Sequence, residues 1–118
     1  MDGPLAGIRV LEFTQLIMGP QCCQLLRDLG CEIIKIENPK SPDNSRHIPA
    51  SESNPAVPVF HANNRGKRSL ALDFSKPEGM AIVRKLIQET DVLVGTLSPG
   101  ALDRAGLGYE ACRELNSR

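Results

Sequence analysis

Tryptophan is absent, and aromatic residues make up only 3% of the 118 positions, Tyr109 and three phenylalanines. A core must therefore be aliphatic, and the stacking platforms that single-stranded nucleic acid needs are scarce. Neither sign of charge is in excess, since 14 basic side chains balance 14 acidic ones. That balance removes the electrostatic case for a nucleic-acid or membrane-surface partner. Arg65, Lys67 and Arg68 come nearest to a basic patch and are too few to carry duplex binding. No apolar run approaches the ~20 residues of a membrane span. The opening Met1-Asp-Gly-Pro has no basic stretch leading into an apolar one, so no secretory signal is expected and the cytoplasm is the default location.

Other absences narrow the chemistry. The four cysteines, Cys22, Cys23, Cys31 and Cys112, form no C-x-x-C pair and have no histidine at metal spacing. Reduced, buried cysteines without a metal are the expectation. No G-x-G-x-x-G follows the first apolar run, so a dinucleotide fingerprint is missing. Gly66-Lys67 is no phosphate-binding P-loop, because position 61 is His and position 68 is Arg. No serine sits in a nucleophile elbow. The carboxylates are scattered without a convergent pair, and His47 and His61 have no visible proton-transfer partner.

What is present fits one α/β domain with 41% hydrophobic and 24% charged residues. Ile8 to Phe13 reads as a short buried strand. Pro20 suits the first turn of the helix that follows, which runs to Leu29 with Cys22, Leu25, Leu26 and Leu29 on one face. Gly30 is placed to end that helix. Glu32 to Glu37 is a second strand rich in β-branched residues. The logic then repeats. Ser69 to Asp73 is predicted as a strand, and Ser75 with Glu78 as a capping box. The next helix turns Met80, Val83, Leu86 and Ile87 inward. Asp91 to Val94 is the fourth strand, and two short helices follow over 99–116. Between the two units, residues 38–68 form a long loop rich in proline and serine, with one helical turn expected over Val57 to Ala62.

Open parallel sheets take their ligands outside the carboxyl ends of the strands. Those ends fall at Thr14 to Met18, Asn38, Asp73–Phe74 and Gly95 to Ser98. The helix after Gly19 offers free N–H groups there, and Arg104, Arg65, Lys67 and Arg68 are available to pair with an anion.

Three blocks carry a family resemblance: Gly7 to Glu37 with Leu29-Gly30 and Lys35-Ile-Glu37, Asn64 to Asp73 with Lys67-Arg68-Ser69-Leu70, and Pro99 to Glu110 with Gly106-Leu-Gly-Tyr-Glu110. Together with Pro77-Glu78-Gly79 they resemble the opening of family III CoA-transferases, of the formyl-CoA transferase, carnitine-CoA transferase and 2-methylacyl-CoA racemase type. The resemblance implies Rossmann-like βαβ units with a mostly parallel sheet, incomplete relative to the family's large domain. Residues 1–118 are then the N-terminal part of a CoA-binding domain.

By the same resemblance, coenzyme A or an acyl-CoA is a substrate rather than a tightly bound cofactor, and carboxylic acids are the other substrates. CoA contacts would fall on Gln15, Leu16, Ile17, Met18, Asn38, Leu72, Asp73, Phe74, Ser75, Thr96, Leu97, Ser98 and Arg104. Members of the family transfer CoA through an aspartyl acyl anhydride and form interlocked homodimers. The matching aspartate lies beyond Arg118, so no catalytic residue is expected here and the chain alone is expected to be inactive. Two departures predict weaker CoA binding: Asn38 stands where many relatives have arginine, and Gly95-Thr-Leu-Ser-Pro-Gly100 replaces Glu-Asn-Phe/Tyr-x-Pro-Gly. A non-catalytic binding module and a degenerate, functionless piece are the alternative readings.

Overall fold

The computed structural model describes residues 3–48 and 58–118. Its elements run β1 (Arg9–Phe13), α1 (Met18–Asp28), β2 (Glu32–Glu37), a 3₁₀ turn (Asn44–His47), α2 (Val59–Asn64), β3 (Arg68–Ala71), α3 (Pro77–Ile87), β4 (Val92–Gly95), α4 (Ala101–Arg104) and α5 (Tyr109–Leu115). The strands form one sheet of order β3-β2-β1-β4, and every neighbouring pair is parallel. Of the helical turn expected over Val57 to Ala62, the described part is α2; Val57 itself lies outside the described residues.

Parallel strands need crossovers, and helices cover both faces of the sheet. The central strands β1 and β2 are consequently buried almost throughout, whereas the edge strands β3 and β4 are largely exposed or half-buried. One face packs Leu11, Phe13, Ile34 and Ile36 against Val83 and Ile87 of α3 and against Leu107. The other packs Val10, Ile33 and Cys31 against Cys23 and Leu26 of α1. The inward face expected for α3 is observed, with Val83 and Ile87 buried and Met80 and Leu86 half-buried against the same cluster.

Helix α1 ends as its sequence suggests. Gly30 takes φ +109°, its N–H bonds to the Arg27 carbonyl, and the Cys31 N–H reaches back to Leu26. That pair of bonds closes the last turn, and a glycine adopts the required φ without Cβ strain.

Two local readings are corrected. On α1 the buried residues are Gly19, Pro20, Cys23 and Gln24, while Cys22 is exposed and Leu25 and Leu29 are 60% and 44% exposed. Of that stripe Leu26 packs against the sheet cluster, while Cys22, Leu25 and Leu29 turn outward. The sheet instead receives the small residues of α1, because their short side chains let the helix lie close. Second, the capping box does not form. Lys76 is the N-cap of α3 and Pro77 its first residue. The Ser75 hydroxyl and N–H both donate to Asp73 Oδ1 instead, an Asx turn that outcompetes the cap.

Leu11→Ala is expected to destabilise the fold by about 2–5 kcal/mol, as a fully buried leucine does. Leu25→Ala should change stability by no more than about 0.5 kcal/mol. Urea unfolding followed by far-UV circular dichroism compares the two, and equal losses would place Leu25 in the core after all.

Candidate functional site

All four strands point their carboxyl ends to one edge, and the strand order changes direction between β1 and β4. Chains leaving β1 and β4 run to opposite faces of the sheet, so a crevice opens there. The first turn of α1 stands over it. Gly19 makes this possible: a Cβ at that position would lie 2.5 Å from the Thr14 side chain and 2.6 Å from that of Thr96. A hydrogen bond from the Gln15 N–H to Thr96 Oγ1 (3.2 Å) ties the two loops across the crevice.

Along the α1 face, the layer between helix and sheet is apolar at the amino end and charged at the carboxyl end. The strand register pairs Glu12 of β1 with Lys35 of β2. Both side chains are withdrawn from water, and Lys35 Nζ lies 3.1 Å from Glu12 Oε1. The same ammonium reaches Asp43 Oδ2 at 2.9 Å and the Thr14 carbonyl at 2.9 Å. Lys67, entering just before β3, puts its own ammonium 2.8 Å from Glu12 Oε2 and donates to the Pro20 carbonyl of α1. The Thr14 hydroxyl donates a short bond to Glu12. Glu12 Oε2 and Asp43 Oδ2 accept no well-aligned hydrogen bond, but each faces a lysine ammonium at ion-pair distance.

A second pair continues the network toward solvent. Arg46 grips both oxygens of Glu37 at 3.0 and 2.7 Å and lies over the Phe60 ring of α2, 3.7 Å from its centre. The Asp43 N–H donates to Glu37 as well.

The shifts in acidity follow from this wiring. The Arg46 guanidinium holds the Glu37 carboxyl below its ordinary range, against burial. Burial would raise Asp43, but bonds from the Leu16 amide, Lys35 and Ser45 outweigh it and keep that carboxyl low too. Burial pushes Lys67 down despite the nearby Glu12. Burial, aided by the Glu12 charge, pushes the Cys23 thiol up to about 12, which makes it inert as a nucleophile.

The residues expected at a CoA site divide in three. A small cleft brings Gln15, Asn38, Phe74 and Leu97 together beside Ser41 and Asp43. An open hollow of about 470 Å³ joins Phe74 and Ser75 to Arg104, with Lys76, Pro77, Met80 and Ala105 completing it. Phe74 belongs to both, its ring edge-on to Phe13 with centres 5.3 Å apart. Asp73 lies between them, 3.4 Å from Asn38 Nδ2 and 3.4 Å from Lys40 Nζ. Leu16, Ile17 and Met18 stand at the rim, 46%, 49% and 84% exposed. Leu72, Thr96 and Ser98 sit at their strand ends without lining either space; the Leu72 N–H bonds to the Glu37 carbonyl.

Sequence reasoning missed Asp43, Lys76 and the whole buried network. Its signal was available: Glu12 and Lys35, each flanked by apolar residues inside two adjacent strands, need partners inside. A larger hollow of about 630 Å³ borders the open side of β4 near Thr90, Val92 and Tyr109. It lies away from the strand carboxyl ends, so topology does not favour it as the ligand site.

The architecture is that of an open, doubly covered parallel sheet with a small cleft of mixed lining at the carboxyl ends of its strands. The chain belongs to CoA-transferase family III, whose model matches residues 5–118. It is 41% identical to a succinate–glutarate CoA-transferase of Agrobacterium fabrum, covering 98% of this chain and 30% of that protein. It is 40% identical to a formyl-CoA:oxalate CoA-transferase of Escherichia coli O6:H1, over 100% of this chain and 28% of the relative. Among solved structures it resembles a CAIB/BAIF family protein from Brucella suis (TM-score 0.84, 39% identity, 98% of this chain and 32% of that one). It also resembles Rv3272 from Mycobacterium tuberculosis (TM-score 0.85, 34% identity, 98% and 30%). The chain thus spans about 30% of the length of the relatives it matches. No described helix is long and apolar enough to cross a membrane.

Glu37 and Asp43 both have lowered folded-state pKa values, so their contribution to stability is complete above the ordinary carboxylate range. It is lost as pH falls below that range through the lowered values. Arg46→Met removes the main cause at Glu37 and is expected to shift the acid-unfolding midpoint to higher pH. Acid titration followed by circular dichroism measures the shift, and an unmoved midpoint would contradict the pairing.

Proposed function

We propose that this chain is the CoA-holding opening segment of a family III CoA-transferase, with the nucleotide end of CoA at the carboxyl edge of the sheet. The observation that carries the reading is the 470 Å³ hollow beside α3. It sets two cations, Arg104 and Lys76, and the Ser75 hydroxyl around an apolar floor of Phe74, Pro77 and Met80. A phosphate-bearing ligand with an apolar portion matches that lining, the cations supplying charge-assisted bonds. The rim formed by Gln15 to Met18 and by Leu97 then borders the rest of the ligand, and Asn38 with the Asp73 turn closes the side.

The activity proposed for the whole protein is transfer of CoA between two carboxylic acids. A nucleophilic carboxylate attacks the acyl-CoA thioester carbonyl and expels the CoA thiolate, leaving a mixed anhydride. The thiolate then attacks the enzyme-side carbonyl and releases the first acid, and the acceptor carboxylate takes the CoA in the reverse sense. At the carboxyl edge described here, Asp43 is buried against Lys35, Ser45 and the Leu16 amide, and Asp73 Oδ1 is taken by Ser75 while Oδ2 faces Lys40. On this reading residues 1–118 bind and orient CoA, and the reacting carboxylate comes from elsewhere in the protein.

Titrating CoA into the purified chain should shift amide resonances at Leu16, Asn38, Leu72 and Thr96. Reversing both cations, Lys76→Glu with Arg104→Glu, is expected to weaken binding at least tenfold. Shifts confined to the hollow beside β4, or none at millimolar CoA, would overturn the proposal.

A further inference from the structure

Leu16 has φ +67°, the one non-glycine residue with positive φ among the described residues. A leucine resists that left-handed conformation, so the surroundings must impose it. The imposing contact is visible. The Leu16 N–H donates to Asp43 Oδ1 at 3.0 Å. Asp43 is 1% exposed and is itself fixed from several sides. Its Oδ2 faces the Lys35 ammonium at 2.9 Å, its Oδ1 takes the Ser45 N–H and hydroxyl at 2.9 and 2.7 Å, and its own N–H is held by Glu37. The strained residue therefore hangs from an anchor that cannot move without disrupting two strands. It also sits one residue after Gln15 and immediately before the first turn of α1, so its conformation sets how that loop meets the crevice.

We infer that Asp43 is a positioning residue for CoA, a role that rests on the function proposed above. Through the Leu16 amide it locks the loop Gln15 to Met18 in the shape that presents its backbone to the ligand. It need not touch CoA itself. Without the anchor, Leu16 relaxes to negative φ, the loop samples other shapes, and only the fraction in the competent shape binds.

The test separates this role from mere support of the buried charges. Glycine enters the left-handed region freely, so it supplies by intrinsic preference what Asp43 imposes. CoA affinity is measured by calorimetry for the wild-type chain, Asp43→Ala, Leu16→Gly and the double variant, with folding of each checked by circular dichroism. Asp43→Ala should bind CoA about tenfold more weakly, the scale of the left-handed preference. Leu16→Gly serves as the reference background: adding Asp43→Ala to it should cost less than about threefold in CoA affinity, against about tenfold in the wild-type background. If Asp43→Ala does not fold, Asp43→Leu, which fills the same space without an acceptor for the Leu16 N–H, is compared with Leu16→Gly in the same way. Unchanged affinity in the Asp43 variant, or a loss equally large in the Leu16→Gly background, overturns the inference and leaves the CoA site standing. No CoA binding by the wild-type chain overturns the proposed function and the inference with it.

Discussion

Two carboxylates and two ammonium groups, Glu12, Asp43, Lys35 and Lys67, meet out of water between the sheet and α1. Taking such charges out of water is expensive, and their attraction offsets the penalty only with close geometry and extra hydrogen bonds. Both conditions hold: the ion pairs span 2.8 to 3.1 Å, and the lysines also bond the Thr14 and Pro20 carbonyls. Removing one member of such a set strands its partner and typically costs about 3–5 kcal/mol. An apolar layer would hold the helix to the sheet as well. What the charges add is direction, because each fixes a particular atom of a loop: Thr14 after β1, Pro20 in α1, Asp43 after β2 and Lys67 before β3. Segments far apart in sequence are thereby tied to one point just behind the crevice.

The fold was legible because its signals are local. β2 is seen over the span expected from its β-branched run, and α3 buries the face its spacing predicts. The order of strands and helices then left few arrangements, since parallel crossovers of this kind are right-handed. The edge that collects the strand carboxyl ends followed from topology without further information. What escaped was anything decided by long-range packing. The apolar stripe of α1 is real, but periodicity does not say which face a sheet prefers, and here Gly19, Pro20 and Cys23 take that place. The capping box failed because Pro77 fixed the helix start and Asp73 took the serine.

The candidate site was legible only in outline, for a related reason. Residues at strand ends can be named from order alone, but which of them share a cleft depends on loop geometry. Gln15, Asn38, Phe74 and Leu97 converge; Leu72, Thr96 and Ser98 do not line that cleft. Lys76 joins Arg104 because α3 starts where it does, a detail tied to the failed cap. Asp43 lies inside a loop whose composition suggests only irregular structure, and nothing in its sequence neighbours reveals that its carboxylate points back to Leu16.

The asparagine at 38 and the altered 95–100 segment suggested a weakened site, and the geometry qualifies that expectation. Asn38 is turned toward Asp73, and Lys40 lies at the same carboxylate, with its side chain 75% exposed. A cation two residues along thus stands near the place an arginine would serve. Lys76 adds another on the far side of Phe74. Positive charge is therefore present at the carboxyl edge, and lysine contributes it as a mobile point charge without the fixed two-pronged geometry of arginine. On the proposed reading, such a site keeps attraction for phosphates while holding them less rigidly. More of the orientation of CoA must then come from the backbone of the Leu16 loop, which holds the one strained non-glycine residue among the described residues and hangs from the buried Asp43.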